Sequence, residues 1–158
     1  MTKLVVDASV AIKWFIPEPL SVEARRILDD YQAGTRTLFA PDLINAEVGN
    51  IVWKKQTFQG LTAADAKTVI DEFRKLAILV TPTGDLLEDP YSLAVTYGRS
   101  VYDSLYLALS IREGCQFVTA DERLINAVGS SISTVIWLPY GSRNGRDRRS
   151  RRSTHAAR

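Results

Sequence analysis

Two side chains that carry much of enzyme chemistry are almost missing from this chain of 158 residues, which has one cysteine, Cys115, and one histidine, His155. A lone cysteine excludes a disulfide framework. Together the two counts exclude Cys/His zinc sites, Cys–His and Ser–His–Asp nucleophile systems, and a nuclease that shuttles protons between two histidines. Chemistry must then run on carboxylates, hydroxyls, Lys or Arg. Long hydrophobic runs are lacking as well, since the uncharged apolar stretches fall short of the ~20 residues that span a bilayer. The apolar start from Leu4 to Ile16 is broken by Asp7 and Lys13 and lacks a small-residue cleavage site, so no leader or membrane segment is read there. A reducing cytoplasm fits these features.

What is present is ordinary globular material, 46% hydrophobic and 24% charged. A chain of this length can bury roughly 70% of the surface it exposes when unfolded, enough for one domain with its own core. The net charge of +2 hides an asymmetry: residues 141–158 hold seven Arg against one Asp, whereas residues 1–140 hold 13 Lys/Arg against 17 Asp/Glu. A mildly acidic domain over 1–140 is expected, followed by an Arg-rich tail over 141–158 with too little apolar surface to offset its ordering entropy, hence disordered.

Five short β-rich runs recur between helix-period segments: Leu4 to Val6, Thr37 to Ala40, Ala77 to Val80, Gln116 to Thr119 and Thr134 to Trp137. Near-continuous apolar strands separated by helices are what a parallel sheet covered on both faces requires. The expected fold is α/β, a three-layer α/β/α sandwich with a short parallel sheet of four to five strands. Punctuation marks the helices: Gly34, Gly98 and Gly114 as stops, Thr62 with Asp65 as a capping box, and Pro41 in the first turn of the helix striped by Leu43, Ile44, Val48 and Ile51.

Four carboxylates stand out. Asp7 and Asp121 each directly follow or nearly follow a strand, at the carboxyl end where open α/β sheets bind ligands. Glu47 sits within an apolar helical stripe, where an ionised carboxylate is costly without a partner. Asp103 opens the run Ser104 to Leu109. Helix capping can explain Asp7, Asp103 or Asp121 singly, and a solvent-reaching Glu47 needs no function. As a converging set they would repel one another and demand a divalent cation, and oxygen ligands select Mg²⁺ or Mn²⁺ over zinc.

Four stretches in order resemble the PIN-domain nucleases, and within them the VapC-like toxins of toxin–antitoxin pairs: Leu4 to Trp14 (LVVDASVAIKW), Ala40 to Asn50 (APDLINAEVGN), Val101 to Leu109 (VYDSLYLAL) and Phe117 to Asp121 (FVTAD). The resemblance implies a metal-dependent endoribonuclease in which Asp7, Glu47, Asp103 and Asp121 hold Mg²⁺, or Mn²⁺, and its waters. The hydroxyls of Ser9 and Thr119 would orient those carboxylates. A water activated by the ion would attack the phosphodiester in line, leaving 5′-phosphate and 3′-hydroxyl ends without a histidine base. The resemblance also implies an RNA substrate, a homodimer, and a small antitoxin that threads a segment into the groove, within a larger toxin–antitoxin assembly. Lys13, Lys54, Lys55, Arg99 and Arg123 are available for phosphates, and Trp14, Phe15, Trp53 and Phe58 for a partner surface.

A receiver domain would need an acidic pair after the first strand and a lysine after the last, and a haloacid-dehalogenase-type phosphatase would need a second Asp at position 9, which is serine. Two alternatives remain, a catalytically silent PIN-fold module that binds RNA or protein, and a housekeeping PIN nuclease acting on ribosomal or structured nucleic acid, which would usually bring extra domains that this length does not accommodate.

Overall fold

The computed structural model describes residues 1–141, so the tail expected to be disordered lies, from 142 onward, outside the described residues. Five strands, β1 (Thr2–Val6), β2 (Arg36–Pro41), β3 (Leu79–Thr81), β4 (Gln116–Thr119) and β5 (Val135–Trp137), form one sheet in the order β3-β2-β1-β4-β5. Every pairing is parallel. The chain steps from β1 outward through β2 to β3, then returns to the other side of β1 for β4 and β5. The order therefore reverses between β1 and β4, and ligands bind outside the carboxyl ends of strands at such a reversal.

Parallel neighbours need crossovers, supplied here by α1 (Ala8–Ala11), α2 (Ser21–Gln32), α3 (Leu43–Phe58), α4 (Ala63–Lys75), α5 (Glu88–Tyr97), α6 (Val101–Glu113) and α7 (Glu122–Val128), with α8 (Leu138–Gly141) closing the described chain. The result is a three-layer α/β/α sandwich. The central strands are apolar without alternation because both faces are covered: Leu4, Val5, Val6, Leu38, Phe117 and Val118 are at most 1% exposed. Full burial of each such side chain contributes on the order of 1.5–3 kcal/mol. On β3 the same composition meets a different fate. It forms the sheet edge, and Leu79 and Val80 stay about half exposed.

The expected punctuation holds at four points and fails at two, Gly34 following the Ala33 cap of α2 at φ +72°. Thr62 caps α4 by accepting from Asp65 N, and Gly98 and Gly114 end α5 and α6 in the left-handed conformation, open to glycine without a Cβ penalty. Pro41 does not start a helix: it closes β2, where its ring needs no ladder donor, and α3 begins at Leu43. Asp103 does not open α6 either. Ser100 is the N-cap, accepting from Asp103 N, and Asp103 sits at the third helical position. Among the described residues no helix is long and apolar enough to cross a membrane.

Candidate active site at the reversal of the sheet

Register places the first acid. Val6 pairs with Val118, so the residues that leave β1 and end β4, Asp7 and Thr119, stand side by side. Thr119 Oγ1 donates to Asp7 Oδ2 at 2.5 Å, Ser9 Oγ donates to Oδ1 at 2.5 Å, and Val10 N donates to Oδ1 at 3.2 Å as Asp7 caps α1. Capping and a place in the acid group are thus combined in one residue. The two hydroxyls are themselves fixed, Ser9 Oγ accepting from Ala120 N at 3.0 Å and Thr119 Oγ1 from Asp121 N at 3.0 Å. Asp7 is 8% exposed. Burial pushes its pKa up to about 6 against the three hydrogen bonds that lower it, and the charge of Asp121 adds to the rise.

Asp121 follows β4 by two residues and caps α7, its Oδ1 accepting from Arg123 N at 2.9 Å and Leu124 N at 3.4 Å. Glu47 is half-buried on α3. Tyr106 of α6 donates its hydroxyl to Glu47 Oε1 at 2.6 Å while its ring stacks on Phe117, centroids 5.5 Å apart. Burial raises the Glu47 pKa, the Tyr106 bond works against this, and the charges of Asp7 and Asp103 raise it further. Burial, and then Glu47, push the Tyr106 hydroxyl well above its ordinary value, so it stays a donor. Asp103, one turn before Tyr106, pairs with Arg99 Nη2 at 3.0 Å.

The four predicted acids therefore gather at one end of the sheet, near enough for Asp121 to act on Asp7 and for Asp7 and Asp103 to act on Glu47. They are not a ready cage. Among the described residues no group of three or more His, Cys, Asp or Glu is placed to hold a metal. Asp103 is drawn to Arg99, Asp121 to its helix, and both oxygens of Asp7 to hydroxyls. Chemically the donor set fits a hard divalent cation: all oxygens, two of them on acids whose charge the fold disfavours, which a positive ion would relieve.

Sequence reasoning missed Tyr106. Its signal was a hydroxyl three residues after Asp103 in an otherwise apolar helical run, which puts both on one face. Of the four aromatics considered for a partner surface, Trp14 is core, its Nε1 donating to Ala24 O at 2.9 Å, and Phe15 packs against the core. Trp53 and Phe58 are exposed and meet edge to face at 5.8 Å.

Comparison with known proteins agrees with this fold. The PIN domain family model matches residues 4–129. Ribonuclease VapC3 of Pyrobaculum aerophilum is 33% identical over 124 residues, which is 77% of this chain and 92% of that protein. Ribonuclease VapC9 of Mycobacterium tuberculosis is 29% identical over 121 residues, 77% of this chain and 87% of its own length. Among solved structures, PAE2754 from Pyrobaculum aerophilum superposes with a TM-score of 0.62 at 19% identity, over 89% of this chain and 87% of that one. VapC20 of Mycobacterium tuberculosis, a sarcin-ricin loop cleaving toxin, does so with a TM-score of 0.58 at 15% identity, over 79% of this chain and 95% of that one. At these identities the superpositions establish the fold alone.

Proposed function

The chain belongs to the PIN-domain family of VapC ribonucleases, and from that premise we propose that it hydrolyses RNA phosphodiester bonds with Mg²⁺, or Mn²⁺ in its place, held by Asp7, Glu47, Asp103 and Asp121. The observation that carries the site assignment is the burial of Asp7 and Glu47 at the sheet reversal, which raises both carboxyls, with the charge of Asp121 adding to the rise of Asp7 and the charges of Asp7 and Asp103 to that of Glu47. A fold that collects like charges at such a cost has a use for the positive charge that would offset it.

When bound, the divalent ion lowers the pKa of a water and neutralises charge growing on phosphate oxygens. The protein's own contributions are positional. Ser9 and Thr119 aim both oxygens of Asp7 and keep it ionised at neutral pH, since hydrogen bonds to the charged form favour it. Tyr106 fixes Glu47 and leaves its second oxygen for ligation. Arg99 holds Asp103 at the rim until a stronger positive charge competes for it.

A small antitoxin is the natural partner on this reading, because a group of carboxylates accepts a basic residue and the exposed Trp53–Phe58 pair on α3 offers an apolar anchor. Assembly as a homodimer belongs to the same proposal.

The test is cleavage of total cellular RNA by the purified protein with Mg²⁺, with Mn²⁺ and with EDTA, beside an Asp7→Asn, Asp103→Asn double variant. Metal-dependent cutting that leaves 5′-phosphate ends and is lost in the variant supports the proposal. Cutting that EDTA and the variant leave unchanged refutes it.

A further inference from the structure

Next to the acids lies a group of opposite sign. Glu18 lies between two lysines, its Oε2 2.7 Å from Lys13 Nζ and its Oε1 2.5 Å from Lys55 Nζ. All three side chains are largely buried, 12%, 17% and 17% exposed. Burial alone would raise the Glu18 pKa, but the two ammonium groups outweigh it and hold the carboxyl below its ordinary value. The triad lines a cleft of about 260 Å³ together with Ser9, Lys54 and Gln59. Ser9 is the residue whose hydroxyl touches Asp7, so the cleft opens directly beside the acid centre.

Three features argue that this is more than a staple between a loop and α3. First, the loop is forced into place. Glu18 stands between Pro17 and Pro19, and Leu20 adopts φ +70°, the one described non-glycine residue in the left-handed region. A bulky residue there is strained, and such strain gathers where position is functional. Ser21 Oγ accepts from Glu18 N at 2.9 Å and fixes the turn.

Second, the charges do not cancel. Glu18 spends one oxygen on each lysine, and each ammonium keeps donors for other acceptors. Lys54, exposed on the rim, has no ion pair among the described residues and adds a further positive charge. Third, Glu47, Ile51 and Lys55 are spaced four apart on α3, so one helical stripe runs from the acid centre to the lysines over about 12 Å of helix axis.

We propose that Lys13, Lys54 and Lys55 form a phosphate subsite that grips the RNA strand beside the cleavage centre, with Glu18 holding the two buried ammonium groups in position. This rests on the ribonuclease reading and adds how an acidic domain retains a polyanion: the phosphate next to the bond being cut sits on lysines, displaced along α3 from the carboxylates that would repel it.

The test measures equilibrium binding of a short mixed-sequence single-stranded RNA, by fluorescence anisotropy across a salt titration, on the full chain carrying Asp7→Asn to stop cutting. Each lysine that meets a phosphate contributes about 0.7 to the slope of log affinity against log salt. Lys13→Gln, Lys55→Gln and Lys54→Gln are each expected to flatten the slope by that amount and to weaken binding roughly fivefold near ~0.1 M salt. Lys13→Arg restores the slope, and Lys67→Gln, remote on α4, leaves it unchanged. A purely structural triad would alter melting temperature and leave the slope alone.

If Lys13→Gln or Lys55→Gln fails to fold, Lys54→Gln decides, because it leaves the triad intact. An unchanged slope and affinity in the folded lysine variants, while the unmodified protein still cuts total RNA in the presence of metal, overturns the subsite and leaves the ribonuclease reading standing. If the parent protein neither binds nor cuts RNA, both are overturned.

Discussion

Thr119 Oγ1 donates to Asp7 Oδ2 across the β1–β4 pair, so the last residue of one strand holds the residue that leaves its neighbour. The bond is possible only because the two strands are adjacent and parallel, with Val6 in register with Val118. Removing it without changing shape is simple, since valine replaces the hydroxyl by a methyl group. In Thr119→Val the charged form of Asp7 loses a donor, its pKa rises above about 6, and the acid limb of the pH–rate profile moves to higher pH. Cleavage should fall about 10- to 100-fold, the usual cost of losing a partner that orients a metal ligand. Ser9→Ala should act in the same direction, and a profile that does not move in either variant removes the assigned role.

Burying Asp7 has a stability cost whose sign is fixed. A carboxyl held near 6 rather than at 3.8 binds its proton more tightly in the folded state, so metal-free protein loses stability as pH rises through that window, by about 3 kcal/mol in all. Glu47 contributes in the same direction. Glu18, with a lowered pKa, contributes stability that is present above its unfolded value of 4.5 and lost as pH falls below it. In EDTA the melting temperature should therefore be higher near pH ~5 than near pH ~7.5. Asp7→Asn should raise it at neutral pH and flatten the dependence while abolishing cleavage. A melting temperature that climbs steadily from pH ~5 to ~7.5 would contradict the buried-acid account.

Tyr106 separates support from packing. Tyr106→Phe keeps the stack on Phe117 and removes only the bond to Glu47 Oε1. Glu47 then loses the partner that favours its ionised form, and its pKa rises further. Binding of Mn²⁺ and the cleavage rate should each weaken about 10- to 100-fold, with stability falling by roughly 1–3 kcal/mol for the group left unpaired. Equal Mn²⁺ affinity in calorimetry would show that the hydroxyl does not orient Glu47.

The layer order and the strand-end positions of Asp7 and Asp121 were legible in the sequence for a common reason, whereas Glu47 stood out as a charge in the apolar stripe of α3 and Asp103 as an acid at the start of α6. Strand cores such as Leu4 to Val6 are covered on both faces and so read as unbroken apolar runs, and a carboxylate just beyond such a run has few places to go. Pro41 misled because proline suits a strand end as well as a first helical turn, and composition does not decide between them. Asp103 misled because Ser100 is an equally good cap three residues earlier. Contacts set by tertiary register left no local trace. The Tyr106–Glu47 bond joins residues 59 apart, and the Ser9 contact with Ala120 joins residues 111 apart.

Arg99 supplies a prediction about metal entry. Its guanidinium, from the residue before the Ser100 cap of α6, pairs with Asp103 Oδ2 at 3.0 Å, and both side chains are about a quarter exposed. A cation entering among the carboxylates competes with Arg99 for that oxygen and is also repelled by its charge, so removing the arginine favours the ion twice over. A partly exposed pair of this kind is worth at most about 1 kcal/mol, which bounds the gain at roughly fivefold in affinity. Arg99→Gln should tighten Mn²⁺ binding to metal-free protein by about two- to fivefold in a calorimetric titration, most clearly at low salt, where the repulsion is least screened. Weaker binding in the variant would mean that Arg99 shapes Asp103 for the ion rather than competing with it, and the competition account would fall.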